Sequence, residues 1–317
     1  MENTLELHYR TVIKAITDGR VVPFLGAGVN LCGRPSDRSW VPGQDDFLPD
    51  GTELAGHLAQ CFDCPSDLDL ARVSQFVDVM TGSGPLYDTL HDLFDHDFPP
   101  TRLHRFLASL PAFLERRGRV KQYPLVVTTN YDDLMERAFH EAGYEADVVS
   151  YVADGPKRGK FLHWTAESKV DVIEKPNEYQ ELTLQERPVV LKIHGAIDRH
   201  TAEHDSFVIT EDHYIDYLTR TNLSNLLPVT LAAKLKRSHL LFLGYGLSDW
   251  NLRVILHRIA GEQKLSYKSW AIQLHPNELD QKFWLRRDVD ILDIDLEEYI
   301  AHLGRRFEQM DGPRAAQ

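Results

Sequence analysis

The sequence is poor in cysteine and has no long apolar run. Its three cysteines, Cys32, Cys61 and Cys64, are too few and too closely set for a disulfide framework, which indicates a reducing compartment. No run approaches the roughly 18 apolar residues that a membrane span needs, and polar residues follow Met1 in place of an apolar signal core. We therefore expect a cytoplasmic protein that does not bind a membrane.

Cationic side chains are also scarce. The 317 residues include 35 Lys and Arg against 48 Asp and Glu, which gives a formal net charge of −13. Nucleic-acid binding needs clustered cations to neutralise phosphates, so direct contact with nucleic acid is not expected as the main activity. The densest basic run comprises Arg116, Arg117, Arg119 and Lys121, and it is more typical of a solvated helix end than of a binding patch.

What the sequence does have is a series of seven short apolar runs. Most of them are continuously apolar and do not alternate with polar residues, which is typical of parallel strands covered on both faces. Helical periodicity follows Asn130 and Ser248, so that strand and helix alternate. The pattern predicts a doubly wound, mainly parallel α/β sheet of the Rossmann-like type in a single domain, 1–317. The predicted strands span residues 21–25, 124–128, 146–151, 189–193, 239–243, 269–274 and 289–294.

Two stretches interrupt this alternation. About a hundred residues with little strand character separate the first two predicted strands, and helical periodicity predicts an inserted helical subdomain over 45–120. The second stretch, 152–187, is polar and charged, so we expect a surface insertion or lid. The helices predicted in the first insertion span 53–61, 68–80, 86–94 and 102–117.

A glycine turn, Gly26-Ala27-Gly28, follows the first predicted strand. This is the place where α/β sheets bind phosphate, and glycine lets the backbone approach it closely. The longer G-x-G-x-x-G fingerprint is absent because position 31 is leucine, and no Gly-Lys-Ser/Thr of a Walker A loop occurs. A tight turn without a ligand explains the motif equally well.

Two polar residues follow the second predicted strand. Asn130 belongs to the best N-cap residues, and taken alone the cap is the favoured interpretation. A carboxamide at this place can also orient a ribose hydroxyl or a water molecule. Asp132 suits the positive end of the predicted helix, and it can equally accept hydrogen bonds from an amide group of a ligand.

His194 follows the apolar run 189–193. A lone histidine there is more often structural, but its ordinary pKa near neutrality makes it a natural general base if other polar segments converge on it. A further strand end carries Gly244, Gly246 and Ser248. It is a second candidate nucleotide-contacting turn or an ordinary capped β–α loop.

Metal and serine-hydrolase sites find little support. His57, Cys61 and Cys64 have zinc-like spacing but lack the usual second pair of ligands. His200 and His204 lie in a charged loop, where chance solvent exposure explains them. No serine has the nucleophile-elbow context of a hydrolase. We therefore expect no metal.

Four short motifs together resemble the sirtuin superfamily, in the family's order and at predicted strand ends. The stretch from Thr101 to Leu110, which carries His104, looks like the bacterial sirtuin-like branch used in antiphage defence. The resemblance implies a sirtuin-type fold that binds NAD. The motifs are Gly26-Ala27-Gly28, Thr129-Asn130-Tyr131-Asp132, Ile193-His194-Gly195 and Leu243-Gly244-Tyr245-Gly246-Leu247-Ser248-Asp249.

The chain departs from protein-deacetylating sirtuins in three places. It has no cysteine between Ala196 and Ser238, so the zinc module is missing. Thr129-Asn130-Tyr131-Asp132 stands where deacetylases usually have Gln-Asn-Ile-Asp, and Gly244-Tyr245-Gly246 replaces their Gly-Thr-Ser turn. The resemblance therefore implies a retained NAD pocket and hydrolysis of NAD to nicotinamide and ADP-ribose.

The same resemblance implies a role for each residue of the site. Asn130 positions the ribose or the attacking water, and His194 acts as a base toward one of them. Asp132 holds the nicotinamide carboxamide. The NAD-binding set is completed by Gly26, Ala27 and Gly28 at the pyrophosphate and by Gly244 and Ser248.

Biologically, the resemblance implies a regulated effector that depletes NAD in abortive infection. An unrestrained NAD hydrolase would be toxic, so we expect a homo-oligomer or a partner protein, such as an ATPase, a translocase or a prokaryotic Argonaute, to control it. Two alternatives remain open. One is an NAD-dependent protein deacylase or ADP-ribosyltransferase, and the other is a non-enzymatic sensor of NAD or ADP-ribose.

Overall fold

A computed structural model describes residues 2–35, 37–44, 46–118, 123–167, 169–219, 223–246, 259 and 266–311. Within them, eleven strands form one nine-stranded sheet and one two-stranded sheet. The strands are β1 Val21–Leu25, β2 Leu125–Thr128, β3 Asp147–Tyr151, β4 Phe161–Trp164, β5 Val170–Val172, β6 Val189–Lys192, β7 Gly195–Ala196, β8 Ser206–Phe207, β9 His239–Leu243, β10 Ser269–Gln273 and β11 Val289–Asp293.

The large sheet has the strand order β11-β10-β9-β1-β2-β6-β3-β4-β5. Pairing is parallel from β11 to β3, and β4 and β5 extend the sheet in antiparallel pairing. The predicted doubly wound, mainly parallel α/β sheet is confirmed, and each of the seven predicted strands is present to within one residue at each end. Strands β1, β2, β3 and β6 are buried at every position, which explains their continuous apolar character.

Helices cover both faces of this sheet. In the described residues they are α1 Glu2–Thr17, α2 Gly51–Cys61, α3 Leu70–Thr81, α4 Ser83–Phe94, α5 Arg102–Arg116, α6 Leu134–Glu141, α7 Glu211–Thr219, α8 Leu223–Leu226, α9 Val229–Lys236, α10 Glu278–Leu285 and α11 Leu296–Asp311. Alternate strand residues point to opposite faces, so Val126 and Val190 pack toward α1, α5, α6 and α11, while Val127 and Leu191 pack toward α7, α9 and α10. No helix of the described residues is long and apolar enough to cross a membrane.

Three helices, α2 to α4, form a unit with a core of its own, which we call the α2–α4 unit. Leu58, Val77 and Leu90 are fully buried in that core, and Tyr131 and Phe207 join it from the sheet side. Helix α5 lies instead in the layer that covers the sheet. The region 45–120 therefore contributes both to the α2–α4 unit and to the helical layer on one face of the sheet.

The segment 152–187 contains two strands that the sequence analysis did not identify, β4 and β5. Phe161, Ile173 and Leu184 in this segment are buried in the sheet core. The helix predicted to follow Ser248 lies outside the described residues.

The loops after β1 and β9 touch each other through glycine residues. The amide of Gly26 donates to the carbonyl oxygen of Leu243, and the amide of Gly28 donates to that of Gly244, each at 3.0 Å. Gly244 has φ +71, and a Cβ atom there would lie 2.4 Å from the amide nitrogen of Val29. Only glycine therefore fits at position 244.

Replacement of Gly244 by alanine should destabilise the fold by roughly 3 kcal/mol, because the Cβ atom meets backbone and the positive φ becomes costly. Gly246→Ala is the matched control, since nothing among the described residues lies within 4 Å of a Cβ atom at that position. We expect its free energy of unfolding to stay within about 0.5 kcal/mol of the wild type. Urea unfolding measures the free energy of unfolding of both variants. An equal decrease in the two variants would contradict the steric explanation.

Candidate active site

A cavity of about 250 Å³ lies at the carboxyl ends of β1, β2, β6 and β9. This edge of a parallel sheet is where α/β folds bind ligands. The loops after these strands form one wall, and the α2–α4 unit forms the other through Leu54, Leu70 and Phe94 among others. Five of the predicted site residues line this one cavity: Ala27, Asn130, Asp132, His194 and Gly244.

The two glycines of the Gly26-Ala27-Gly28 motif are not among the residues that line the cavity. The Gly26 amide donates to Leu243 at the end of β9 and the Gly28 amide to Gly244 in the loop that follows, and a Cβ atom at Gly26 would lie 2.7 Å from the carbonyl oxygen of Gly244. The close approach that glycine permits here is thus to another loop of the protein. Within this motif, Ala27 is the residue that faces the cavity.

Asn130 is buried where β2 ends, and its side chain holds the loop after β1. Its Nδ2 atom donates to the carbonyl oxygen of Gly26 at 3.3 Å, and its own amide donates to Thr128 Oγ1 at 3.0 Å. The interpretation of Asn130 as a helix N-cap is wrong, because α6 begins only at Leu134. Asp132 delays the helix, since its Oδ1 atom accepts from the Leu134 amide at 3.1 Å in an Asx-type turn.

The side chain of Asp132 has a buried partner from the segment after β1, Asn30. Asn30 donates from Nδ2 to Asp132 Oδ2 at 2.7 Å, and both residues line the cavity. The Oδ1 atom of Asn30 is buried and has no hydrogen-bond partner among the described residues. A buried acceptor of this kind is costly unless a donor reaches it.

His194 is buried at the end of β6. Its ring makes edge contacts with the rings of Tyr214 and Tyr217, with centroids 5.7 and 5.4 Å away. The next residue, Gly195, has φ +89, and a Cβ atom there would lie 2.0 Å from the carbonyl oxygen of Ser206. The strand therefore turns sharply at this point, which leaves His194 at the cavity.

Further ionisable groups lie behind the cavity. Lys192 donates to the main-chain oxygen of Asp132 and lies 2.9 Å from Glu136 Oε1, while burial raises the pKa of Glu136.

His104 is also buried, and its Nδ1 atom accepts from the Thr101 amide at 3.2 Å. Burial lowers the pKa of His104 to about 4, so the ring is neutral near pH 7.

Tyr214 and Tyr245 also line the cavity. Tyr245 shares a hydrogen bond with Thr129 Oγ1 at 2.9 Å, and Tyr214 comes from α7. Neither was predicted as a site residue, and no motif in the sequence marks Tyr214. Ser248, which was predicted as an NAD contact, lies outside the described residues.

Candidate metal ligands do not gather. In the part of the chain that the structure describes, no group of three or more His, Cys, Asp and Glu side chains is placed to hold a metal ion. His57 and Cys61 lie on one helix face, with Sγ 3.6 Å from Nε2.

Comparison with known families decides what this architecture is. The sequence profile of a SIR2-like domain matches residues 124–292, which is more than half of the chain. The chain belongs to the SIR2-like family. The match includes the Asn130 and His194 segments, while the Gly26 turn precedes it.

Several curated relatives of this SIR2-like chain carry names that refer to NAD or to defence. It is 25% identical over 312 residues to defense-associated sirtuin 2 of Bacillus subtilis, covering 94% of this chain and 26% of that protein. It is 28% identical over 248 residues to the NAD(+) hydrolase ThsA of Enterococcus faecium and 26% identical over 251 residues to that of Acinetobacter baumannii, covering 78% of this chain and 41% of each relative. The chain thus spans about a quarter to two fifths of the length of these relatives.

The neutral, buried state of His104 makes stability depend on pH. Its pKa is about 4 in the folded protein and 6.5 in an unfolded chain, so the unfolded state takes up a proton first as the pH falls below 6.5. His104 should therefore lower the free energy of unfolding by about 2 kcal/mol between pH 7 and pH 5.

His104→Gln is the matched variant, because glutamine at this position can keep the hydrogen bond to Thr101 and does not titrate. Urea unfolding at pH 7 and pH 5 should show a smaller decrease for this variant than for the wild type. The same decrease in both proteins would show that His104 is not the titrating group.

Proposed function

We propose that this SIR2-like chain hydrolyses NAD to nicotinamide and ADP-ribose. The observation that carries the proposal is that Asn130, Asp132 and His194, which come from distant parts of the sequence, line one cavity together with Ala27 of the glycine turn. The relatives named NAD(+) hydrolase support the choice of substrate.

The nicotinamide end of the substrate is assigned to Asn30 and Asp132. A carboxamide carries two N–H donors and one acceptor. The unpartnered Oδ1 of Asn30 and the carboxylate of Asp132 offer acceptors for these donors within the same cavity. Binding would thereby satisfy a buried acceptor that the protein itself leaves open.

Hydrolysis breaks the bond between the ribose C1′ atom and the nicotinamide nitrogen. The electron pair leaves with neutral nicotinamide, and positive charge develops on the ribose. Water then adds to C1′ and gives up a proton, for which His194 is the base, acting on the water or on a ribose hydroxyl. Asn130 orients the ribose or the water, and its anchor on the carbonyl oxygen of Gly26 holds the carboxamide in one direction.

The cavity encloses only part of such a substrate. Its volume of about 250 Å³ is below the roughly 300–1,000 Å³ of ordinary small-molecule sites. We assign the enclosed part to nicotinamide and its ribose. The pyrophosphate would pass Ala27, with Gly244 and Ser248 as further contacts, and the packing roles of Gly26 and Gly28 keep that loop in place.

In the cell, we propose that the chain is a regulated effector of antiphage defence that causes abortive infection by depleting NAD. The relative named defense-associated sirtuin supports this role. We further propose one cytoplasmic domain over 1–317, with a helical insertion at 45–120 and a second insertion at 152–187 that supplies the edge strands β4 and β5. Activity would be controlled by self-assembly or by a partner such as an ATPase, a translocase or a prokaryotic Argonaute.

Removal of either proposed catalytic group should abolish NAD cleavage while the fold persists. We expect His194→Ala and Asn130→Ala to lower the rate of nicotinamide release by roughly 100-fold or more. His140→Ala is the matched control, since its ring is exposed on α6 and pairs with Glu145 at the surface. Nicotinamide release should be measured by chromatography, with and without candidate partners, and circular dichroism should verify folding.

The same assay separates the alternatives. Nicotinamide release that requires an acetyl-lysine peptide would favour a deacylase, and transfer of ADP-ribose to protein would favour a transferase. Full protection from phage by His194→Ala, provided that NAD binding persists, would favour a sensor. A fully activated assembly that releases no nicotinamide would refute the proposal.

A further inference from the structure

Lys192 is an unusual residue for the interior of this protein. It is the last residue of β6, two positions before His194, and its relative exposure is 1%. Among the described residues, it is the only lysine or arginine that is buried. An ammonium group is expelled from such a place unless it is paired and hydrogen-bonded.

The partners of Lys192 lie at the start of α6. Its Nζ atom donates to the main-chain oxygen of Asp132 and lies 2.9 Å from Glu136 Oε1. The other carboxylate oxygen, Glu136 Oε2, is buried and has no hydrogen-bond partner among the described residues. The charge of Glu136 is thus balanced chiefly by Lys192.

Lys192 does not line the cavity, but the residue that it holds does. The carboxylate of Asp132 is oriented by the Asn30 side chain and the Leu134 amide. Both of these bonds involve the side chain of Asp132, whereas its main-chain carbonyl oxygen accepts from Lys192 Nζ. Lys192 therefore connects the strand that carries His194 to the loop that carries Asp132.

We propose that Lys192 is a positioning residue that sets the Asp132 carboxylate for the nicotinamide group, with Glu136 as its counter-ion. The identity of the ligand in this inference rests on the proposed function. Replacing both members of a buried ion pair by neutral residues of similar size often costs little stability, so we expect the fold to persist without this pair. Substitution of this pair should therefore affect the position of the Asp132 carboxylate, and with it the affinity for NAD, differently from the stability of the fold.

The experiment compares Lys192→Met, Glu136→Gln and the double variant with the wild type. Each protein is examined for its melting temperature, for its affinities for NAD and for ADP-ribose by calorimetry, and for nicotinamide release. ADP-ribose is the matched ligand, because it shares every part of NAD except the nicotinamide that Asp132 would hold.

Lys192→Met should lower the melting temperature, since the largely buried carboxylate of Glu136 then loses its cation. In the double variant the melting temperature should recover toward that of the wild type, while the affinity for NAD stays reduced by roughly tenfold or more. The affinity for ADP-ribose should be unchanged in the double variant. This separation is not expected from a residue that only stabilises the fold.

Equal losses of NAD and ADP-ribose affinity, or a double variant that recovers both stability and NAD affinity, would overturn the inference. The proposed function fails separately. Selective loss of NAD affinity in a protein whose wild type releases no nicotinamide would leave the positioning role intact and refute hydrolysis. If the wild type hydrolyses NAD but the double variant shows no selective loss of NAD affinity, the proposed function stands and the positioning role of Lys192 is refuted.

Discussion

The site depends on two loops that pass in contact because the residues at their crossing have no side chains. After β1, Gly26 donates to the last residue of β9 and Gly28 to the loop that follows it, and Gly244 leaves room for the backbone of Val29. The side chain of Asn130 then binds the same loop from the side of β2. Parallel pairing of β1 with both β2 and β9 brings these strand ends together, and the glycine contact determines how closely they approach.

The strands were predictable because burial on both faces leaves a simple pattern, a short and continuous apolar run. Strands β4 and β5 lack that pattern, since β5 is only partly buried and both pair in antiparallel fashion at the sheet edge. Lys192 is the informative exception within β6. In the sequence it interrupts an apolar run, and only the position of Glu136 and of the Asp132 carbonyl explains how a cation is accommodated there.

The sequence predicts which residues form the site better than it predicts the hydrogen bonds between them. Asn130, Asp132 and His194 could be selected because polar residues at the ends of parallel strands meet at one edge. The sequence does not show which of two neighbouring polar residues closes a turn. It favours a helix that begins directly after Asn130, whereas the turn at Asp132 delays the helix to Leu134. Tyr214 reaches the cavity through the packing of α7, which no local pattern encodes.

The outer wall of the cavity belongs to a body with its own apolar core. Asp50 begins α2 by accepting from the amides of Thr52 and Glu53, and the Glu53 carboxylate in turn accepts from the Asp50 amide and pairs with Arg34. Asp50 also lines the cavity, so the same backbone that starts this helix closes the pocket. Units with separate cores open at free energies below that of global unfolding. Because this wall has a core of its own, it is the part of the cavity whose local opening would release a bound molecule.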